Sequence, residues 1–252
     1  MKFLSLPLCL LSFAASLSGA ADLAPAQALL AKKDFPAAIA ALETITTAEP
    51  GNSAAHLVLG NALAAQLNAV GLLGKAGLAK RSLAAYERAA ALDPRSIGAR
   101  LALVQYHKDA PFFVGGSRRK AYAAARELAA LDAWEGNFWL MRLHQEDKQP
   151  AEALAACDAL LKVEPASYRA LYQLGRTVAL TGEQRERGVA ALRQAVALTP
   201  EKNDPPVQHA HNRLGQILEA LGDRAGARSA YETALRFDPK LQDARQRLAK
   251  LK

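Results

Sequence analysis

Residues 208–239 read QHAHNRLGQILEALGDRAGARSAYETALRFDP, and their spacing decides the fold. Leu214, Leu218 and Leu221 fall on one face of a helix, as do Ala227, Tyr231 and Ala234 on the next. Between them, Gly222-Asp223 pairs a glycine suited to end one helix with an aspartate suited to cap the following one. Pro239 stops the second helix, because proline has no backbone N–H to give and clashes with the preceding turn. Gly215 and Ala227 are small enough to let the two helices approach closely. The stretch is therefore a helical hairpin, and a single hairpin leaves one apolar face in water unless a neighbour covers it.

The same spacing recurs upstream. His56, Leu59, Gly60 and Leu63 precede Ser82, Tyr86, Ala89 and Pro94, and Leu171, Leu174, Gly175 and Val178 precede Gly188, Leu192, Ala195 and Pro200. Weaker copies end at Pro50, Ala133 and Pro165. The pattern resembles the tetratricopeptide repeat, with W-x2-L-G-x2-Y, then A-x3-F, then Pro over about 34 residues. His211 and Leu218 stand where that family prefers aromatics. The resemblance implies an all-α, right-handed α-solenoid of about six hairpins, at 22–50, 53–94, 97–133, 134–165, 168–200 and 208–239. A capping helix at 241–252 would close it, with Leu241, Ala244, Leu248 and Leu251 on one side. Abundant Ala, Leu and Arg agree, since these residues lose little freedom in a helix.

Residues 1–21 differ in kind. Lys2 is the only charge before Asp22, Phe3 to Leu17 are apolar, small or proline, and Ser18-Gly19-Ala20-Ala21 supplies small residues for cleavage. This is the pattern of a secretory signal peptide, and the apolar run is short for a membrane span. The expectation is a periplasmic protein, released after Ala20 or Ala21. Cleavage would remove Cys9 and leave Cys157 alone, so packing and not a disulfide must hold the fold. Cys157 lies in an apolar run and reads as a small buried hydrophobe.

The formal charge is +8, and Arg and Lys are spread along the chain, apart from short clusters such as Arg118-Arg119-Lys120. Dispersed charge reads as solvated helix faces, and export argues against nucleic acid. Gly71, Gly74 and Lys75 lack the spacing of a phosphate loop, as well as its Ser or Thr and preceding strand. No H-E-x-x-H, zinc-spaced Cys/His set or G-x-S-x-G is present, so neither metal, cofactor nor catalytic residues are expected. His56 and His211 occupy equivalent repeat positions, which suits a packing role.

Two segments and a link depart from the regular length: 67–80, 111–117 and 201–206. Insertions into such repeats often carry binding. In 111–117, Gly115-Gly116-Ser117 reads as a helix start capped by Ser117. The family resemblance further implies that first helices wall a concave groove. At i, i+3, i+7 spacing the inward stripe reads Trp134, Asn137, Met141 and His144 in the fourth unit. It reads Arg169, Tyr172 and Arg176 in the fifth, and His209, Asn212 and Gln216, with Arg213 alongside, in the sixth. Earlier units contribute Asn61, Gln105 and Lys108. Arg, Asn and aromatic side chains are enriched at protein interfaces.

The expected function is non-catalytic docking of a protein or peptide segment, acidic or C-terminal in its sharper form. Membrane association would come only through that partner, and self-association stays open. The alternative is a small-molecule or transport-associated protein of the same family, marked by an enclosed pocket near Phe112, Phe113 and Trp134.

Overall fold

The computed structural model of the chain describes residues 22–67 and 69–251. The expected leader at 1–21, Cys9 and Lys252 lie outside the described residues. Within them every regular element is helical. The first hairpins are α1 (Ala24–Ala31) with α2 (Phe35–Ala48), α3 (Ser53–Gln66) with α4 (Leu72–Leu92), and α5 (Ile97–Asp109) with α6 (Arg118–Leu131). Next come α7 (Ala133–Glu146) with α8 (Pro150–Val163) and α9 (Tyr168–Thr181) with α10 (Arg185–Ala195). The last pair is α11 (Val207–Ala220) with α12 (Arg224–Phe237), followed by α13 (Gln242–Lys250). Each pair packs on the next, and α13 packs on α12, which makes a helical-hairpin solenoid.

Local chemistry sets the helix starts. Asn52, Asp132, Ser167 and Asp223 each accept a hydrogen bond from the backbone N–H three residues on, at 3.0, 2.9, 3.2 and 2.8 Å. Each such cap contributes about 1 kcal/mol. Asp132 both closes α6 and opens α7, so no proline is needed at that joint. Gly222 takes φ +84°, which supplies the left-handed residue that ends α11 before Asp223 caps α12.

Close helix approach explains the repeated glycine. A Cβ on Gly60 or Gly215 would stand 2.5 Å from the ring of Tyr86 or Tyr231, one in each hairpin's second helix. The buried apolar residues form three successive clusters, around Leu42 and Leu63, around Tyr106 and Leu128, and around Leu160, Leu192 and Tyr231. A core divided along the stack is what nearest-neighbour packing produces.

The two insertions are built differently. The extra residues of 67–80 mainly lengthen a helix, since α4 runs for 21 residues against 14 for α3. Segment 111–117 instead forms a 3-10 turn at Phe112–Val114, followed by Gly115 at φ +100°. Tyr106 donates from its hydroxyl to the Val114 carbonyl at 2.8 Å, His107 Nδ1 lies 3.0 Å from the Gly115 carbonyl, and Ser117 N–H donates to the His107 carbonyl at 3.0 Å. This anchored turn holds Phe112 and Phe113 outward, 87% and 62% exposed. Ser117 then caps α6, accepting from the Lys120 N–H.

Candidate functional site

In the second half of the chain, first helices lie directly against one another: α7 on α9 and α9 on α11. Among the described residues no pair of second helices packs together to that extent. Elements that lie closer together are on the inside of a curve, so α7, α9 and α11 form its inner wall. Their side chains sort into those that build the wall and those that face away from it.

Several stripe residues build it. Met141 is fully buried in the C-terminal core, so it cannot meet a partner. Tyr172 is also buried, stacked on Tyr168 with ring centroids 6.0 Å apart. Asn212 is buried and donates to Asp243 of α13 at 2.8 Å, and Gln216 donates to the same oxygen at 2.6 Å. These four were expected along the groove; helical spacing puts them on the right side of each helix, but neighbouring helices cover the first three and α13 engages Gln216.

Others are tied into local contacts. Asn137 donates to the Ala133 carbonyl at 2.7 Å. His144 contacts Gln149 at 2.6 Å and lies over Tyr122 with ring centroids 4.8 Å apart. Lys108 is paired with Asp109 and Glu146. In the earlier hairpins, Asn61 is exposed and accepts from the Tyr86 hydroxyl at 3.0 Å, while Gln105 is exposed on α5. The structure does not bring Asn61, Gln105 and Lys108 into the arginine cluster described next.

Arg142 on α7, Arg176 on α9 and Arg213 on α11 lie near enough to interact electrostatically. Burial pulls the Arg176 guanidinium below the ordinary arginine range, and the like charges of Arg213 and Arg142 push the same way, against an opposing contribution from Tyr172. Arg176 donates to Gln145 at 3.1 Å, and Arg213 donates to Gln216 at 2.8 Å. Arg142 lies over the rings of Phe138 and Trp139, at 5.9 and 5.6 Å from the centroids. None of the three has a carboxylate partner among the described residues, whereas Arg100, Arg118, Arg169, Arg187 and Arg247 all do.

Gln145 also donates to Thr177 at 2.7 Å, and Thr177 donates to the Gln173 carbonyl at 2.7 Å. The amide that receives Arg176 is thus itself fixed between α7 and α9. Arg142 was not expected at this site. It stands one position past Met141, and nothing in its local sequence separates it from a solvated arginine.

Nearer the starts of these helices, Arg169 stacks on Trp134 with its guanidinium carbon 3.8 Å from the ring centroid. Its Nε and Nη2 both donate to the Glu164 carboxylate, and this pairing raises the Arg169 pKa above its ordinary value. His209, half-buried, begins the corresponding turn of α11. Among the described residues no group of three or more His, Cys, Asp or Glu is placed to hold a metal ion. Nor is any helix long and apolar enough to cross a membrane.

Two family profiles, each described as a tetratricopeptide repeat, match residues 23–97 and 208–241. No curated protein matches the sequence. Among solved structures, PilW, described as a widely conserved type IV pilus biogenesis factor, superposes with a TM-score of 0.63 at 16% identity, over 90% of this chain and 96% of its own. PilF of Pseudomonas aeruginosa gives 0.59 at 13% identity, over 90% and 95%. YrrB, described as a tetratricopeptide-repeat protein with an unusual peptide-binding site, gives 0.55 at 15% identity, over 82% and 96%. At these identities the likeness is one of fold.

Proposed function

Because this chain is a tetratricopeptide-repeat protein, we propose that it is a non-catalytic docking scaffold whose inner wall receives a protein or peptide segment bearing an acidic side chain or a terminal carboxylate. The observation that carries this reading is the cluster of Arg142, Arg176 and Arg213, which has no internal counter-charge. Three like charges held together cost stability, and a half-buried guanidinium loses hydration. A bound carboxylate offsets both costs, and the planar arginine fork holds it with directional hydrogen bonds. Phe138, half-buried, and the Trp134–Arg169 stack add aromatic surface on the same first helices. The peptide-binding site described for YrrB gives a precedent within the fold.

The same proposal places the chain in the periplasm of a bacterium. Its support is the apolar stretch Phe3–Leu17 followed by small residues up to Ala21. Fractionation of cells producing the full chain, with N-terminal sequencing of the product, tests this: a cytoplasmic protein with an intact N-terminus refutes it.

An array of short peptides tests the docking reading, each made with a free and an amidated C-terminus and with acidic or amide side chains. Acidic or free-carboxylate peptides should be retained by the chain and lost by an Arg142→Gln/Arg176→Gln/Arg213→Gln variant of unchanged helicity. Retention indifferent to peptide charge overturns it.

One observation favours a second reading. A cavity of about 430 Å³ with mostly apolar walls lies beside the Phe112–Phe113 turn, bounded by Leu67, Ala76, Ala79, Tyr106, Phe113 and Val114. Phe112 and Trp134 do not line it. A small apolar solute would fit there, and saturable binding of such a probe, lost in Ala79→Phe, would support that reading.

A further inference from the structure

We propose that the Phe112–Phe113 turn inserts into an anionic phospholipid bilayer surface, with the basic residues of neighbouring turns held against its headgroups. The proposal stands apart from the docking reading, because it uses the first three hairpins and not the wall of α7, α9 and α11.

Phe112 and Phe113 are 87% and 62% exposed, with their rings edge to face at 5.8 Å. The turn that carries them is anchored. Val114 is buried, and the Gly116 N–H donates to the Pro111 carbonyl at 3.1 Å, in addition to the bonds made by Tyr106 and Ser117. Phe113 also borders the apolar cavity of about 430 Å³, so apolar surface continues past the two rings. Contiguous exposed apolar surface marks an interaction site. A ring as bare as that of Phe112 stands at a tip, not in a groove. A fluid bilayer closes around such a tip from every side, whereas a folded partner needs a matching pocket.

Charge selects the lipid. Antiparallel pairing puts the turns α1–α2, α3–α4 and α5–α6 in one row along an edge of the stack, and the joints between hairpins along the other. In the row of turns, Lys32, Lys33, Lys75 and Arg119 are exposed, and none has an ion pair among the described residues. Lys75 borders the same cavity as Phe113, and Arg119 follows the turn directly. The acidic residues of this row are engaged: Asp34 caps α2, accepting from the Ala37 N–H at 3.3 Å, and Asp109 is paired with Lys108 at 2.5 Å. The row of joints has the opposite balance, with Glu49, Asp93 and Asp132 against Arg95. The exposed rings thus lie on the basic edge. Interfacial binding grows with the apolar area buried and with the attraction of basic residues to anionic lipid. An anionic bilayer answers both features of this edge, and a neutral one answers only the first.

The test is tryptophan fluorescence of the full chain and its Phe112→Trp variant with brominated vesicles, either containing phosphatidylglycerol or made of phosphatidylcholine alone. Bromine on the acyl chains quenches an indole that enters the bilayer, and Trp134 and Trp139 give the background in the parent chain. The added indole should be quenched saturably on the anionic vesicles and not on the neutral ones. Lys75→Gln/Arg119→Gln in the Phe112→Trp chain should partition at least about tenfold more weakly. These positions are exposed, so melting temperatures should match the parent. Quenching no greater than in the parent overturns the proposal and assigns the turn to a protein partner. Equal quenching on neutral vesicles, or unaltered partition of the charge variant, also overturns it. Phe112 does not line the cavity and the arginine cluster is untouched, so these results are separate from solute binding and from the fate of the docking reading.

Discussion

Asn212 of α11, itself buried, donates its side-chain amide to the half-buried Asp243 of α13 at 2.8 Å, fastening the last helix to the solenoid. Gln216 and Arg247 reach the same carboxylate at 2.6 and 3.1 Å. Burial alone would raise the Asp243 pKa, but the hydrogen bonds from Asn212 and Arg247, with the Arg247 charge, outweigh it and hold the carboxyl below its usual range.

This relationship predicts an acid-labile cap. The unfolded carboxyl titrates near pH ~3.9. The folded one titrates lower, so its stabilisation is fully present above the unfolded value and disappears as pH falls through the folded value. Asp243→Asn should be less stable than the parent chain at pH 7 and lose less between pH 5 and pH ~2. Denaturant unfolding across that range, with hydrogen exchange of α13, checks it. Parallel pH profiles for parent and variant would count against the contact.

Gly215 lies against Tyr231, so Gly215→Ala should overpack the hairpin and cost about 1–3 kcal/mol. Ala227 is fully buried on the facing helix, and Ala227→Leu should fall in the same range. Both would appear as lower melting temperatures with helical content retained. An unaltered melting temperature in either variant would remove the close approach as the reason for a small residue there.

Cys157 is buried between α8 and α9, with its sulfur 3.2 Å from the Thr177 hydroxyl. Burial pushes its thiol up to about 11. The thiolate is the reactive form, so Cys157 should resist alkylation in the native chain at neutral pH and react fully in denaturant. Peptide mapping after iodoacetamide reads this directly, and rapid native labelling would mean that the packing opens.

Sequence spacing made the hairpins legible because a few signals recur along the chain: a glycine facing a large side chain of the second helix, a capping side chain at a helix start, and a proline or aspartate near a helix end. Tyr86 over Gly60 and Tyr231 over Gly215 are one contact used twice. The binding wall was harder to read. Met141, Tyr172 and Asn212 have the spacing of an exposed stripe, yet each first helix touches several neighbours, and helical period alone does not separate the open face from the face between hairpins. The arginine cluster depends on which side chains meet across α7, α9 and α11, and local sequence does not record that. Nor does it show that the glycines after Val70 fall at the start of a long helix, α4.

The docking account turns on an arginine kept for binding at a cost to the fold. Replacing a desolvated charge by an apolar side chain of similar length is often neutral or stabilising. Arg176→Met should therefore match or exceed the parent melting temperature while binding the acidic peptides retained on the array at least about tenfold more weakly. Affinity and melting temperature measured together on parent and variant are the most direct test. Equal affinity, or a loss of binding accompanied by a fall in melting temperature, would contradict the claim that Arg176 is held without a counter-charge to receive one from a partner.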